Sequence, residues 1–291
     1  MAWLDTIVQG LLLGGLYALF ATGLSLIFGV MRIVNLAHGD FSILAAFLAV
    51  VLVDALKLHW LVALALVVPL MALLGYLLQR LVLNRLLGRG ILPPILVTFG
   101  LSIIIQNGLL ETFSADSRRL NPGGIDTASL ALGGGLAVGW FSLITLLVAV
   151  LVLIGLQVFI SRTRRGRASR ATADDQATAA LMGIDDRGLY ALAMALSLGI
   201  VAVAGAFLGV RTTFAFSSGP DRLLFAFEAV IIGGLGSLWG TLVGGVVLGV
   251  AQTVGAKLSP GWGILTGHLV FLAVLLLRPS GLFSPKRRVD A

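Results

Sequence analysis

The chain has 291 residues, 58% of them hydrophobic and only 11% charged, with a formal net charge of +7 and a mean hydropathy of +1.06. Soluble domains carry about 25% charged residues, so this chain lies far outside the globular range. It has no cysteine, which excludes disulfides, thiolate metal sites and cysteine nucleophiles. Apolar runs recur from end to end, implying an all-α, polytopic membrane protein with about eight or nine spans. A β-barrel would need short alternating segments instead.

The first run, Ile7–Val30, is too long for a signal-peptide core, and no Lys or Arg precedes Arg32, so it is expected to stay in the membrane. "RIVNLAHGDF" follows, with Asn35, His38 and Asp40 packed around Gly39 in an otherwise apolar region. Gly39 is expected to let the backbone bend, and Asp40 to cap a helix starting at Phe41. Asn35 and His38 are then candidates for a translocation path. Phe41–Leu56 and Leu58–Leu78 form the next pair of spans. Ile91–Phe113 opens with the kinking pair Pro93-Pro94 and ends in the polar cluster Gln106, Asn107 and Glu111. Asn107 fits either an interhelical hydrogen bond or the path. An outer loop, Ser114–Gly135, leads to the span Val138–Ile160.

The cytoplasmic side is set by charge. Of the 20 Lys and Arg, three lie in Arg80–Arg89, six in Arg162–Arg187 and four in Arg278–Arg288. The positive-inside rule puts all three segments in the cytoplasm and the start of the chain outside. The middle segment lacks the interleaved aromatics that base stacking needs, so it is not read as binding nucleic acid. Within it, "GRASRATADDQATAALMGIDDRG" (166–188) predicts a short helix. Thr172 with Asp175 makes a capping-box-like start, Ala177, Leu181 and Met182 give an apolar patch, and Gly183 is the stop. Such a helix is either a knob for a partner protein or an element lying on the bilayer surface.

Leu189–Val210 is a single span. Leu223–Ala256 has 34 residues, ~51 Å as one helix against a ~30 Å hydrocarbon core, so it must fold back. The glycines of "GGLGSLWG" mark the break, with Gly233, Gly234, Gly236 and Ser237 as turn or cap residues. The two short helices then cross as a hairpin or re-enter. Glu228 sits inside this run, and an intramembrane carboxylate marks a pathway or a buried partner. It is a candidate to line the path, or to pair with Arg211 or Arg222. Gly263–Leu277 is the last span, before the basic tail 279–291.

No enzyme motif accompanies these elements. "GVAQTVGAKLS" has the wrong glycine spacing for a nucleotide-binding loop. The three histidines lack metal-ligand spacing, and neither a catalytic residue nor a cofactor is assigned to this chain. Four stretches in order, "FGVMRIVNLAHGDF", "GRASRATADDQATAALMGI", "AFEAVIIGGLGSLWGTLVGG" and "LLLRPSGLF", resemble the permease subunits of branched-chain amino acid ABC importers, in the branch called LivH. The resemblance spans nearly the whole chain. It implies one transmembrane permease domain over 1–291, in a bacterial plasma (inner) membrane, with 161–188 as its cytoplasmic coupling segment. It implies four kinds of role around the chain: a second related permease, two cytoplasmic ATPase subunits that use the ATP, an extracytoplasmic solute-binding protein, and a solute that is a branched-chain amino acid or a relative such as urea or an amide. The other reading of the residues is a self-contained secondary transporter or channel, which would show matched broken helices in its two halves.

Overall fold

The computed structural model describes residues 2–90, 92–133 and 136–283. In chain order the helices are α1 (Ala2–Met31), α2 (His38–Leu56), α3 (Trp60–Leu81), α4 (Leu92–Phe113), α5 (Trp140–Arg162), α6 (Arg164–Asp174), α7 (Gln176–Leu181), α8 (Asp186–Arg211), α9 (Gly219–Gly233), α10 (Leu238–Leu258) and α11 (Trp262–Leu277). Seven of them are long and apolar enough to cross a bilayer. The shorter α9 and α11 bring the passes into the expected range of eight or nine. The chain is thus a polytopic helical membrane protein.

Burial shows which helices form the centre. In their most apolar stretches α1 is 83% and α8 72% buried, whereas α4 and α5 are each only 22% buried. The outer helices keep leucine and isoleucine exposed because lipid tails are as apolar as those side chains. α1 packs antiparallel on α10. A Cβ at Gly10 or Gly14 would strike the backbone of Val250 or Val246, so the small residues of α1 set this close approach.

The folded-back run is an antiparallel hairpin. Gly233 of α9 faces Gly240 of α10, and Ala229 faces Gly244. The break is shorter than the glycine pattern suggests: Gly240 lies inside α10, and only 234–237 leave the helix. Gly234 and Gly236 have φ of 104° and 82°, conformations that strain any residue with a Cβ. Ser237 then caps α10, accepting from Gly240 N–H at 3.1 Å. The chain returns through α11, and Leu282 N–H donates to the Ile232 carbonyl, so residues before the tail pack beside this break. The basic tail itself, from 284 on, lies outside the described residues.

Two differences from the sequence reading matter. The loop after α4 ends in an antiparallel hairpin, β1 (Ser129–Gly133) with β2 (Leu136–Gly139), so Val138 is strand and α5 starts at Trp140. More important is the depth at which α2 begins. His38 bonds to the Phe20 carbonyl, 11 residues before the end of α1, or about 16 Å in from that end. Residues 32–37 therefore climb back into the membrane rather than forming a cytoplasmic loop. Such backbone is tolerated at depth only when packed in protein or lining a wet cavity.

The basic segments Arg80–Arg89 and Arg162–Arg187 share one end of the bundle, where Asn84 Nδ2 donates to the Arg187 carbonyl and Arg32 to the Ala173 carbonyl. A cysteine at the exposed Arg170 should be labelled only from the cytoplasm, and one at the exposed Ser117 only from outside, by membrane-impermeant maleimide. Labelling of both from one side would contradict this topology.

Candidate functional site

The start of α2 gathers the polar side chains. Asn35, His38 and Asp40 are all essentially fully buried. Asn35 Oδ1 accepts from Ala37 N–H at 3.0 Å, so it is Asn35 that holds the turn into the helix. Ala37 occupies the cap position and α2 begins at His38, which corrects the expected roles of two residues. Gly39 is helical rather than the bend, and Asp40 is in the first turn rather than at the cap. Gly39 is small for another reason: a Cβ there would collide with the Gly219 carbonyl, where the start of α9 crosses α2.

Asp40 joins three helices at that crossing. Its carboxylate lies against Gly219, at the start of α9, and Oδ1 accepts from Gln106 Nε2 of α4 at 2.9 Å. A negative group near helix N-termini is favourable. Gln106 also donates to Ser102 Oγ, and Thr98 Oγ1 accepts from Leu36 N–H. Thr98, Ser102 and Gln106 thus form a polar stripe at i, i+4, i+8 along α4, aimed at residues 36–40. Gln106 is the member of the expected cluster that reaches the site. Asn107 is exposed on another face of α4 and bonds back to the Ile103 carbonyl, so it does not join Asn35 and His38.

His38 Nε2 lies 3.0 Å from the Phe20 carbonyl, which can only accept, so Nε2 carries the proton. Nδ1 of His38, Nδ2 of Asn35 and Oδ2 of Asp40 are buried with no partner among the described residues. Nearly all buried polar groups in proteins are hydrogen-bonded. Three such atoms fall within six residues at the start of α2.

Glu228 belongs to a second cluster. It is buried, and its Oε1 pairs with His268 Nδ1 of α11 rather than with Arg211 or Arg222. Arg222 instead lies over the Phe225 ring, 5.7 Å from its centroid, and Phe225 also contacts Tyr17 and His268. Tyr17 donates to Gln252 of α10. The hairpin fold brings these residues together from α1, α9, α10 and α11.

The cytoplasmic segment forms two helices, not one. Thr172 lies near the end of α6, buried, with its hydroxyl bonded to the Ala168 carbonyl, so it is not a cap. Asp175 alone caps α7, accepting from Thr178 N–H at 3.1 Å and Thr178 Oγ1 at 2.6 Å. The Thr178 hydroxyl, then its N–H, hold the Asp175 carboxyl below the ordinary carboxylate range. Its contribution is therefore complete above that range and is lost as the pH falls through the lowered value. Ala177 is exposed, and Leu181 and Met182, at the end of α7, are 88% and 79% exposed. Gly183 follows with a φ of 77°. Arg32, itself at a φ of 54°, donates to the Ala173 carbonyl at 2.9 Å. The residue that opens the 32–37 segment thus also holds the segment carrying α7.

Among known proteins, the model of the family "Branched-chain amino acid transport system / permease component" matches residues 6–277. The high-affinity branched-chain amino acid transport system permease protein BraD of Pseudomonas aeruginosa is 30% identical over 299 residues, covering 96% of this chain and 95% of BraD. LivH of Escherichia coli K12 is 28% identical with the same coverage of both chains. A probable LivH of Methanocaldococcus jannaschii is 27% identical, over 95% of this chain and 91% of that one.

Proposed function

The chain belongs to the family of branched-chain amino acid transport system permease components, and we propose that it forms one half of the translocation path of an ATP-binding-cassette importer. On this reading it is a multi-pass protein of the plasma (inner) membrane. It works with a second related permease, two cytoplasmic ATPase subunits that consume the ATP, and an extracytoplasmic solute-binding protein. The solute is a branched-chain amino acid, with small polar solutes such as urea or an amide as the neighbouring class. Asn35 and His38 face the solute's route, Asp40 and Gln106 hold that unit in place, and Glu228 with His268 tunes the helices that flank it.

The observation that carries the reading is the contact from Arg32 to Ala173. It connects an exposed cytoplasmic helix pair directly to the backbone that enters the membrane and ends at His38. A partner pressing on α7 can therefore move the polar unit without a separate linkage. Co-expression with the neighbouring subunits tests the proposal: affinity capture of this chain should retain a permease partner and ATPase subunits in fixed ratio. Recovery of the chain alone, monodisperse and stable, would count against it.

A further inference from the structure

At the cytoplasmic end of α3 an open cleft of about 750 Å³ is lined by Arg80, Arg85, Arg89 and Arg187, with Asn84 and Asp185. These residues come from two places about 100 positions apart in the chain. Asn84 ties them together, accepting from Gln79 at 3.0 Å and donating to the Arg187 carbonyl at 3.3 Å. The single carboxylate is already engaged: Asp185 caps α8 by accepting from Gly188 N–H. Arg80 donates to the Tyr76 hydroxyl and lies over its ring. Arg85, Arg89 and Arg187 have no side-chain hydrogen bond or ion pair among the described residues. The positive-inside rule accounts for arginines at this end. It does not account for four of them converging on one cleft with their charge uncompensated.

The surface leading to the cleft is an apolar, outward-facing side of α3. Leu66, Leu70, Leu73, Leu77 and Leu81 run down α3, each between about 40% and 55% exposed. Arg80 follows Leu77 by three residues and Leu73 by seven, so it continues the same face. An apolar track thus ends in a cluster of guanidinium groups at the membrane boundary. Guanidinium groups match phosphate oxygens bidentately, and basic pockets between helices at the cytoplasmic side suit anionic headgroups. We propose that this cleft binds the headgroup phosphate of an anionic phospholipid of the inner leaflet, with its acyl chains lying along α3. A soluble phosphate would satisfy the arginines but not the leucines. An acidic surface of an ATPase subunit is the other candidate occupant, and loss of ATPase subunits from the arginine variant would reveal it.

The full chain, purified with its partners into nanodiscs, tests this by native mass spectrometry of retained lipid. With phosphatidylethanolamine, phosphatidylglycerol and cardiolipin supplied together, the wild type should retain an anionic lipid in preference to the zwitterionic one. The triple variant Arg85→Gln/Arg89→Gln/Arg187→Gln should lower that preference roughly tenfold or more. A control, Arg164→Gln/Arg165→Gln/Arg170→Gln, removes equal charge from the same end and should leave the preference unchanged. Labelling at a cysteine replacing Ser117 verifies that each variant inserts correctly. Equal lipid retention by the triple variant and the wild type would overturn the proposal. So would displacement of the lipid by millimolar inorganic phosphate. Unchanged lipid binding with loss of ATPase subunits in the triple variant would assign the cleft to the protein partner instead.

Discussion

Replacing both Leu181 and Met182 with aspartate is expected to abolish solute-stimulated ATP hydrolysis by the assembled importer. These two side chains are the most exposed apolar groups on the cytoplasmic helices and stand at the tip of α7. A tip seated in an ATPase groove is desolvated on docking, and an unpaired buried charge costs several kcal/mol. Each 1.4 kcal/mol is tenfold in affinity, so two such charges weaken docking by at least about 100-fold. The helix itself should survive, because its cap at Asp175 and its bonds to Thr178 are untouched. Membrane insertion should also be normal, since neither residue lies in a span. Stimulated hydrolysis at the wild-type rate would place α7 on the bilayer surface instead.

The second large effect is expected at His268. His268→Leu removes the partner of a buried carboxylate, and Glu228 Oε2 already has none among the described residues. His268 is itself about a third exposed, so losing it costs less than the ~3–5 kcal/mol of a fully buried pair. The loss is about 1–3 kcal/mol, that of a buried acceptor left without its partner. The thermal unfolding midpoint in detergent should therefore fall for His268→Leu. The double variant Glu228→Gln/His268→Leu should recover most of that loss, since no charge then remains to be stranded. Glu228→Gln alone keeps a hydrogen-bonding group beside His268 and should fold, so its transport rate reports any direct role at the path. Equal destabilisation in His268→Leu and the double variant would mean that packing, not charge, holds α9 to α11.

These residues also show what a sequence can and cannot convey. Spans are legible because a bilayer demands long apolar runs, and the run from Leu223 to Ala256 betrays its own fold by being too long for one crossing. The glycines that break it are legible as well, although its length overstates the break, since Gly240 serves close helix packing inside α10. Depth is not legible. "VNLAHGD" reads as a loop between spans, yet the chain returns to mid-membrane before α2 begins, because Phe20 and Thr98 supply partners that lie far away in sequence. Partner choice is equally hidden. Arg211 and Arg222 are near Glu228 along the chain, but the hairpin and α11 bring His268 to it across 40 residues. One signal could have been found: Thr98, Ser102 and Gln106 fall on a single helical face, whereas Asn107, one residue on, points elsewhere.

On the proposed reading, this chain moves solute only when ATPase subunits act on it. Uptake of radiolabelled leucine, isoleucine or valine into proteoliposomes measures that directly, with the chain and its permease partner reconstituted in the presence and absence of the ATPases, ATP and binding protein. Uptake is expected only in the complete mixture, and it should disappear when the ATPases alone are left out. Solute accumulation by the permease chains without any ATPase would contradict the account.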